Sequence, residues 1–357
     1  MVDVRKGMPS VKLDEVEFKR RFLARFTDPA FEPLQADLMK IAAVAWNGYA
    51  NSRKAPRTTK AGAGFADPDY DISVEWLAAR RAIIDAQKIH DDPKSPSRIL
   101  LINGSPRSEH TCPGEMSKTW RLVELAADIV RSETGFACDI LNLSVLASEY
   151  GRVIYPCKAC VSTAMPLCHW PCSCYPNHAL GQDNDWMNDI YPRWVAAHGV
   201  MIVTPVHWYQ APTTLKLMID RLVCADGGNP DPTSTHGKDP EKAKTLELAG
   251  WPYPRHLAGR VFSAIVHGDA AGAETLRRSL SDWLEDMGLI ASGHNSLIDR
   301  YIGYLEPYAT SHAELDADAA IQDDARTAAR ALVQAVKDRR SGQLQPPDRG
   351  LREAIQK

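Results

Sequence analysis

Short apolar runs alternate with amphipathic segments from about residue 97 onward, whereas the first 95 residues show helical periodicity alone. The apolar runs predict strands at 99–103, 138–143, 200–206, 261–266 and 289–296. The amphipathic segments predict helices at 117–133, 186–197, 213–223, 273–287 and 323–338. The run at 200–206 is apolar throughout, which is typical of a strand buried on both faces. The alternation predicts an α/β fold with a doubly wound, five-stranded parallel sheet and helices on both faces.

The N-terminal segment predicts a helical extension outside the sheet. Apolar residues recur at helical spacing in 13–26, 31–49 and 73–90. The stretch between the last two, 53–71, is first basic and then rich in Gly, Asp and Pro, and predicts an exposed loop. Its basic residues are either a solvated surface or a contact for an anionic partner; they are Arg53, Lys54, Arg57 and Lys60.

These patterns divide the chain into three parts. We expect an N-terminal helical extension over 1–95 and a sheet domain over 96–305. A cysteine-rich insertion at about 144–183 interrupts the sheet domain, and a C-terminal helix and polar tail occupy 306–357.

Composition excludes several classes of protein. The chain of 357 residues is 44% hydrophobic and 24% charged, which is typical of globular domains. A net charge of −3 gives no general attraction to nucleic acid. No apolar run approaches the roughly 20 residues of a membrane helix, and the N-terminus lacks the apolar core of a signal peptide. We therefore expect a cytoplasmic protein without nucleic-acid or membrane partners.

The loop after the first predicted strand has the chemistry of a phosphate site. In doubly wound sheets ligands bind outside the carboxyl ends of the strands. This loop, 104–118, offers hydroxyls, a guanidinium and the start of a helix, all of which suit a phosphate; the candidates are Ser105, Arg107, Thr111 and Ser117. It lacks both the Gly-Lys-Ser/Thr of an ATP loop and the Gly-x-Gly-x-x-Gly of a dinucleotide site. The alternative is a turn without a ligand.

The loops after the third and fourth strands complete the candidate site. His207, Trp208 and Tyr209 follow the third strand, and three ring side chains there can flank a planar ligand. The same rings could form an exposed patch for oligomer contact, and the two interpretations are compatible. His267, Gly268 and Asp269 follow the fourth strand, where small residues allow a ligand to approach the backbone.

Two of these stretches resemble one family. Ile-Asn-Gly-Ser-Pro-Arg at 102–107 and Val-Thr-Pro-Val-His-Trp at 203–208, followed by Leu-Lys-Leu-Met-Ile-Asp-Arg, resemble the flavodoxin-like NAD(P)H-dependent FMN reductases. The resemblance covers about 97–300. It implies FMN phosphate on Ser105 and Arg107 with either Thr111 or Ser117, since the loop between these two is longer than usual. It implies ring contacts from the second and third loops, namely Pro205, Val206, His207, Trp208, Tyr209, His267, Gly268 and Asp269.

The resemblance also implies a reaction. NAD(P)H would reduce bound FMN, and the electrons would pass to a small acceptor such as a quinone, a flavin or a metal complex. Such reductases are commonly homodimers or homotetramers. His207 is a candidate to hydrogen-bond the flavin edge, and no catalytic residue is assigned. Two alternatives remain: a flavodoxin-like electron carrier without NAD(P)H turnover, and a partner-binding module built on the helical extension.

Five of the eight cysteines crowd into the insertion. They are Cys157, Cys160, Cys168, Cys172 and Cys174. Eight cysteines in so long a chain do not make a disulfide framework, which indicates a reducing compartment. The segment resembles the cysteine insert of iron–sulfur flavoproteins, except that Thr163 stands at the third motif position. The open alternatives are a [4Fe–4S] cluster, zinc, a redox disulfide, and no metal at all.

Overall fold

A computed structural model describes residues 2–53, 55–175 and 184–344. Its helices are α1 Glu15–Leu23, α2 Gln35–Ala50, α3 Val74–Asp91, α4 Lys118–Ser132, α5 Val145–Ser148, α6 Met187–Ala196, α7 Thr213–Arg221, α8 Pro240–Leu248, α9 Ala273–Asp286, α10 Ser311–Ala317 and α11 Ala319–Arg340. Its strands are β1 Thr58–Lys60, β2 Asp71–Ser73, β3 Ser97–Asn103, β4 Phe136–Asn142, β5 Gly199–Pro205, β6 Val261–Gly268, β7 Ile290–Ala291 and β8 Leu297–Tyr301.

The chain packs into two compact units, each assembled from separate segments. The first unit comprises 1–81, 157–186 and 227–253, and the second comprises 82–156, 187–226 and 254–357. The sheet domain expected from the sequence follows chain order. The compact units instead combine stretches that are far apart in sequence, because the long connections after β4 and α7 pack with the N-terminal segment.

The sheet of the second unit confirms the predicted fold class. Its strands run in the order β4-β3-β5-β6, and all the pairs are parallel. β7 and β8 both pair in parallel with β6, so two short strands share the fifth position. Counted along the chain, this is the order 2-1-3-4-5 of flavodoxin-like folds. The predicted single strand at 289–296 is wrong in its extent, because a 3₁₀ turn at His294–Ser296 separates the two strands.

Helices cover both faces of the sheet. Ile99 and Leu101 of β3 pack in the core formed with α4 and α11, and both are fully buried. Leu100 and Ile102 point to the opposite face and are also fully buried. On the side of α6 and α9, Trp194 meets Trp283 edge-on with ring centroids 6.3 Å apart. Burial on both faces is the reason these strands are uniformly apolar.

The first unit confirms the three N-terminal helices and corrects the loop between them. α1 and the start of α3 lie within the predicted helical stretches, and α2 ends one residue beyond the stretch predicted for it. The stretch at 53–71 is not all loop: β1 and β2 pair in an antiparallel two-stranded sheet, with Thr58 opposite Ser73. α8 lies in a region for which the sequence pattern predicts no helix. Lys54, part of the insertion (176–183) and the polar tail (345–357) lie outside the described residues.

No helix in the described part of the chain is long and apolar enough to cross a bilayer.

Candidate functional site

The site lies at the carboxyl ends of β3 and β5, where the strand order reverses. Here the second unit contains a cavity of about 380 Å³. Residues from all three predicted loops line it, including Ser105, Arg107, Ser117, Pro205, Val206, His207, His267, Gly268 and Asp269. The strand order therefore brings together nine candidates that the sequence places in three separate loops.

The first loop is held against β5 by a close backbone approach. A Cβ on Gly104 would lie 2.7 Å from Oγ1 of Thr204, so only glycine fits between the two strand ends. The Gly104 amide donates to the carbonyl of Val203 at 2.8 Å. Oδ1 of Asn103 then accepts from the amide of Ser105 at 3.2 Å, and the Ser105 side chain is only 2% exposed. The Ser105 hydroxyl accepts from the amide of Arg107 at 3.2 Å, which holds it in place at the cavity wall.

Arg107 has an unsatisfied buried donor. Its Nη2 donates to Oε2 of Glu115 at 3.1 Å, within the same loop. Its Nε is buried and has no hydrogen-bond partner among the described residues. A buried guanidinium N–H without an acceptor costs free energy, about 1–3 kcal/mol, unless a ligand supplies one. Because Arg107 lines the cavity, this donor is available to an anionic oxygen of a ligand bound there.

The start of α4 adds further positive potential. Ser117 is the N-cap, and its hydroxyl accepts from the amide of Trp120 at 3.1 Å. The positive end of the helix dipole favours an anion here. Lys118 follows directly, and burial lowers its pKa, with Arg107 lowering it further and Asp269 opposing. Lys118 was missed in the sequence; its position after the N-cap serine was the available signal.

Thr111 lies elsewhere. Its Oγ1 donates to the carbonyl of Ser108 at 2.7 Å and accepts from the Ser108 amide at 3.0 Å, forming a local turn. Thr111 is not among the residues that line the cavity, whereas Ser117 is. Of the two alternatives for the phosphate, the geometry favours Ser117.

The second loop turns sharply after β5. The amides and carbonyls of His207 and Gln210 bond each other, both at 2.9 Å. The two central residues, Trp208 and Tyr209, have positive φ of 48° and 63°, which is uncommon for bulky side chains. Their side chains do not line the cavity, and Trp208 is 95% exposed. The turn therefore presents Pro205, Val206 and His207 to the cavity and the two larger rings to solvent.

The third loop contributes a buried histidine, His267, and a glycine, Gly268, whose backbone lies close to Val206. His267 Nε2 and Thr119 Oγ1 are 2.8 Å apart in a fully buried contact. Burial lowers the pKa of His267 to about 3, with smaller contributions from Lys118 and His207, so the ring is neutral. A Cβ on Gly268 would lie 2.7 Å from Cγ1 of Val206, so the absence of a side chain keeps this wall of the cavity open.

Residues near the C-terminus close the remaining side of the cavity and were not predicted. Tyr308 and His312 both line it. A hydrogen bond to the Asp269 carboxylate raises the pKa of Tyr308. Arg121 Nη1 lies 3.3 Å from His312 Nδ1 and can only donate, so Nδ1 is the acceptor and Nε2 donates to the carbonyl of Met116 at 2.9 Å. No motif marks these residues, because they reach the site only through the fold.

The residues present fit FMN. An orphaned guanidinium N–H, a buried serine hydroxyl, a helix N-terminus and a lysine suit a phosphate dianion. The wall formed by Pro205, Val206 and the bare backbone of Gly268 suits a flat ring. Ser105, Arg107, Ser117 and Lys118 are the residues that could hold the phosphate.

The cysteines of the first unit make a thiol pair. Sγ of Cys160 and Sγ of Cys174 are 3.2 Å apart, and Cys174 also hydrogen-bonds Cys172. The Cys160 contact raises the pKa of Cys174 to about 11, and the same contact lowers the pKa of Cys160. Within 2–53, 55–175 and 184–344, no three His, Cys, Asp or Glu side chains are grouped to hold a metal ion. The assignment of the five cysteines to a metal or cluster therefore stays a prediction.

Comparisons with known proteins agree with the chemistry of the cavity. A sequence model of the family described as NADPH-dependent FMN reductase matches residues 97–301, more than half of the chain. An iron–sulfur flavoprotein of Methanosarcina thermophila is 25% identical over 201 residues, covering 56% of this chain and 78% of that protein.

Two solved structures are also similar. RosB with a bound 8-demethyl-8-formylriboflavin-5'-phosphate is 14% identical, with a TM-score of 0.45, and the match covers 70% of this chain and 82% of that one. An apo NADH:FMN oxidoreductase is 15% identical, with a TM-score of 0.37, and the match covers 70% and 92%.

Proposed function

The chain belongs to the family of NADPH-dependent FMN reductases, and from this premise we propose that it passes electrons from a reduced nicotinamide through bound FMN to a small-molecule acceptor. It is an oxidoreductase. We propose NADPH or NADH as the electron donor. The proposed electron acceptor is a quinone, a free flavin or a metal complex. The observation that carries the proposal is that Arg107, whose Nε has no partner among the described residues, and the buried Ser105 line one cavity at the strand-order reversal.

The chain's own residues would bind and orient rather than react. Ser105, Arg107, Ser117 and Lys118 would hold the phosphate and fix the position of the cofactor. Val206 and Gly268 shape the apolar wall, and the carboxylate of Asp269 is held by Tyr308. FMN, when bound, supplies the hydride and electron chemistry, so no side chain needs to act as a strong acid or base. Burial lowers the pKa of His207, which favours a neutral ring that can donate one hydrogen bond to a ligand.

The phosphate assignment is tested by FMN affinity. Removing a hydrogen bond to a charged group costs about 1.5–3 kcal/mol, or about 10- to 150-fold in Kd. We expect Ser105→Ala and Lys118→Met each to weaken FMN binding within that range, measured by flavin fluorescence quenching. Thr111→Val is the matched control in the same loop and should bind as the unmodified protein does. Equal effects from all three would contradict the assignment.

The electron path is tested by turnover. NADPH and NADH oxidation are followed with menadione, ferricyanide or free FMN as acceptor. Turnover that depends on bound FMN supports the reductase. Tight FMN binding with no oxidation of either nicotinamide would instead favour the electron-carrier alternative.

An iron–sulfur flavoprotein is the second candidate. The similarity to the Methanosarcina thermophila protein and the presence of five cysteines favour this candidate. Against it, no three potential metal ligands are grouped within the described residues. Iron and acid-labile sulfide are measured on anaerobically purified protein. Stoichiometric iron and sulfide would establish a cluster, and the lack of both with full FMN occupancy would exclude one.

We also propose that the protein works as a homodimer or homotetramer, as the resemblance implies. α2 leaves Met39, Ile41 and Val44 about half exposed in the single chain. Light scattering on the FMN-bound protein measures the oligomeric state, and a monomer at micromolar concentration would contradict this proposal.

A further inference from the structure

The first unit contains a cavity that takes no part in the flavin site. Its volume is about 320 Å³, at the lower end of the range for small-molecule sites. All the residues that line it belong to that unit, and they come from the N-terminal segment, the cysteine segment and the loop before α8. Three distant stretches of the chain therefore meet around one cavity that is partly open to solvent.

Aromatic rings form much of the wall. Tyr49, Tyr70 and Trp76 line the cavity together with Ile72. Trp76 is 3% exposed, and its indole Nε1 donates to the carbonyl of Pro171 at 2.8 Å, which fixes the ring. The hydroxyl of Tyr49 accepts from the amide of Leu13 at 2.8 Å, so this ring is also held in place. Fixed aromatic walls favour a flat, conjugated ligand, because its rings can stack or meet theirs edge-on without ordering mobile side chains.

The charges at the cavity are predominantly positive. Lys12, Arg53 and Lys238 line it, and within the described residues none of the three pairs with a carboxylate. Nζ of Lys12 donates to the hydroxyl of Ser52 at 3.1 Å. The one acidic residue in the lining is Asp71, which is already paired with Lys60 at 3.0 Å. Three cations without counter-charges select an anion.

From the fixed rings and the unpaired cations, we infer that this cavity binds a flat, conjugated organic anion of the aromatic carboxylate class. The carboxylate lies toward Lys12, Arg53 and Lys238, and the ring system lies between Tyr70 and Trp76. Cys174, which also lines the cavity, is covered when the ligand is bound. The site is independent of flavin chemistry.

The test uses two probes that differ only in charge. Isothermal titration calorimetry on the full chain saturated with FMN compares 2-naphthoate with its neutral isostere 2-naphthamide. We expect the carboxylate to bind at least about tenfold more tightly, the size of one charged hydrogen bond. We also expect its affinity to fall as salt is raised, because screening weakens exposed charge pairs. FMN saturation blocks the flavin site, and titration of FMN-free protein should give the same affinity for 2-naphthoate.

Substitutions of the lining residues test whether 2-naphthoate binds in this cavity. Lys238→Met and Arg53→Met should each weaken 2-naphthoate binding about two- to fivefold, since both cations are exposed. Lys6→Met removes a charge from an exposed position of the same unit outside the lining and should change nothing. Lys238→Arg keeps the charge and should retain binding, which separates loss of charge from loss of folding.

A chemical readout reports the position of the ligand directly. Iodoacetamide labelling of Cys174 at alkaline pH, where some of this thiol is ionised, is mapped by peptide mass spectrometry and should slow in 2-naphthoate and not in 2-naphthamide. Equal binding of the two probes, unchanged binding in both methionine variants, no binding at all, or competition with FMN would each overturn the inference.

Discussion

Nε2 of His267 lies 2.8 Å from Oγ1 of Thr119, and both side chains are buried beside the flavin site. The contact joins the end of β6 to the first turn of α4, and so joins the wall of the site to the helix that carries Ser117 and Lys118. We expect Thr119→Val to leave the ring nitrogen without a partner at a cost of about 1–3 kcal/mol. Urea denaturation measures the loss, and Thr119→Ser, which keeps the hydroxyl, should recover most of it. A valine variant as stable as the unmodified protein would contradict this account.

Acid should destabilise both units through their buried histidines. Burial lowers the pKa of His267 to about 3 and that of His169 to about 4. Between the unfolded pKa of about 6.5 and these values, only the unfolded chain binds the proton, so stability is complete above about pH 6.5 and falls as pH decreases. At pH 5 each group should cost about 2 kcal/mol. Urea midpoints from pH 8 to pH 5 test this, and the pH slope should be shallower in His267→Gln.

Glu115 should weaken FMN binding. It pairs with Arg107 at 3.1 Å, so its carboxylate competes with the phosphate for the guanidinium and adds a like charge near it. Glu115→Gln should tighten FMN binding about two- to fivefold, since exposed pairs contribute roughly 1 kcal/mol or less. Glu109→Gln removes a carboxylate from the same loop outside the cavity lining and should leave Kd unchanged. A weaker complex in the Glu115 variant would show that the pair orients Arg107 rather than competing for it.

The close approach of Gly268 to Val206 should show as non-additive mutations. Gly268→Ala places a methyl group 2.7 Å from Cγ1 of Val206, which should cost about 1–3 kcal/mol and displace the wall of the site. Val206→Ala removes that clash, so the double variant should be more stable than Gly268→Ala alone. FMN affinities and urea midpoints of the unmodified protein, the two single variants and the double variant give the coupling free energy between the two positions. If the effects of the two substitutions simply add, the methyl group of Gly268→Ala does not clash with Val206.

The thiol pair should show unequal reactivity. The Cys160–Cys174 contact lowers the pKa of Cys160 and raises that of Cys174, so Cys160 should be alkylated first at neutral pH. In protein that has not been alkylated, mild oxidation should join Cys160 and Cys174 in a disulfide. Burial raises the pKa of Cys138, which makes it a slow internal reference. Peptide mapping after timed iodoacetamide treatment measures all three, and equal rates for Cys160 and Cys138 would contradict the prediction.

The sequence pattern determined the sheet and the first loop. Uninterrupted apolar runs specify strands buried on both faces, and the residues at 102–107 place a hydroxyl and a guanidinium after the first of them. These are local properties, so one stretch of sequence is enough to show them. The fifth strand position was less predictable, because a 3₁₀ turn at His294–Ser296 divides it and both halves depend on the edge of β6 for their hydrogen bonds.

Only the tertiary structure decided which candidates meet. Trp208 and Tyr209 follow a buried strand as a ring ligand would require, yet positive φ at both residues turns their side chains away from the cavity. Tyr308 and His312 come from about 200 residues beyond Ser105, and no local signal connects them to it. The same holds for Lys12, Trp76 and Lys238 around the second cavity. Sequence periodicity reports which face of an element is buried, whereas contacts between distant segments depend on how the whole chain packs.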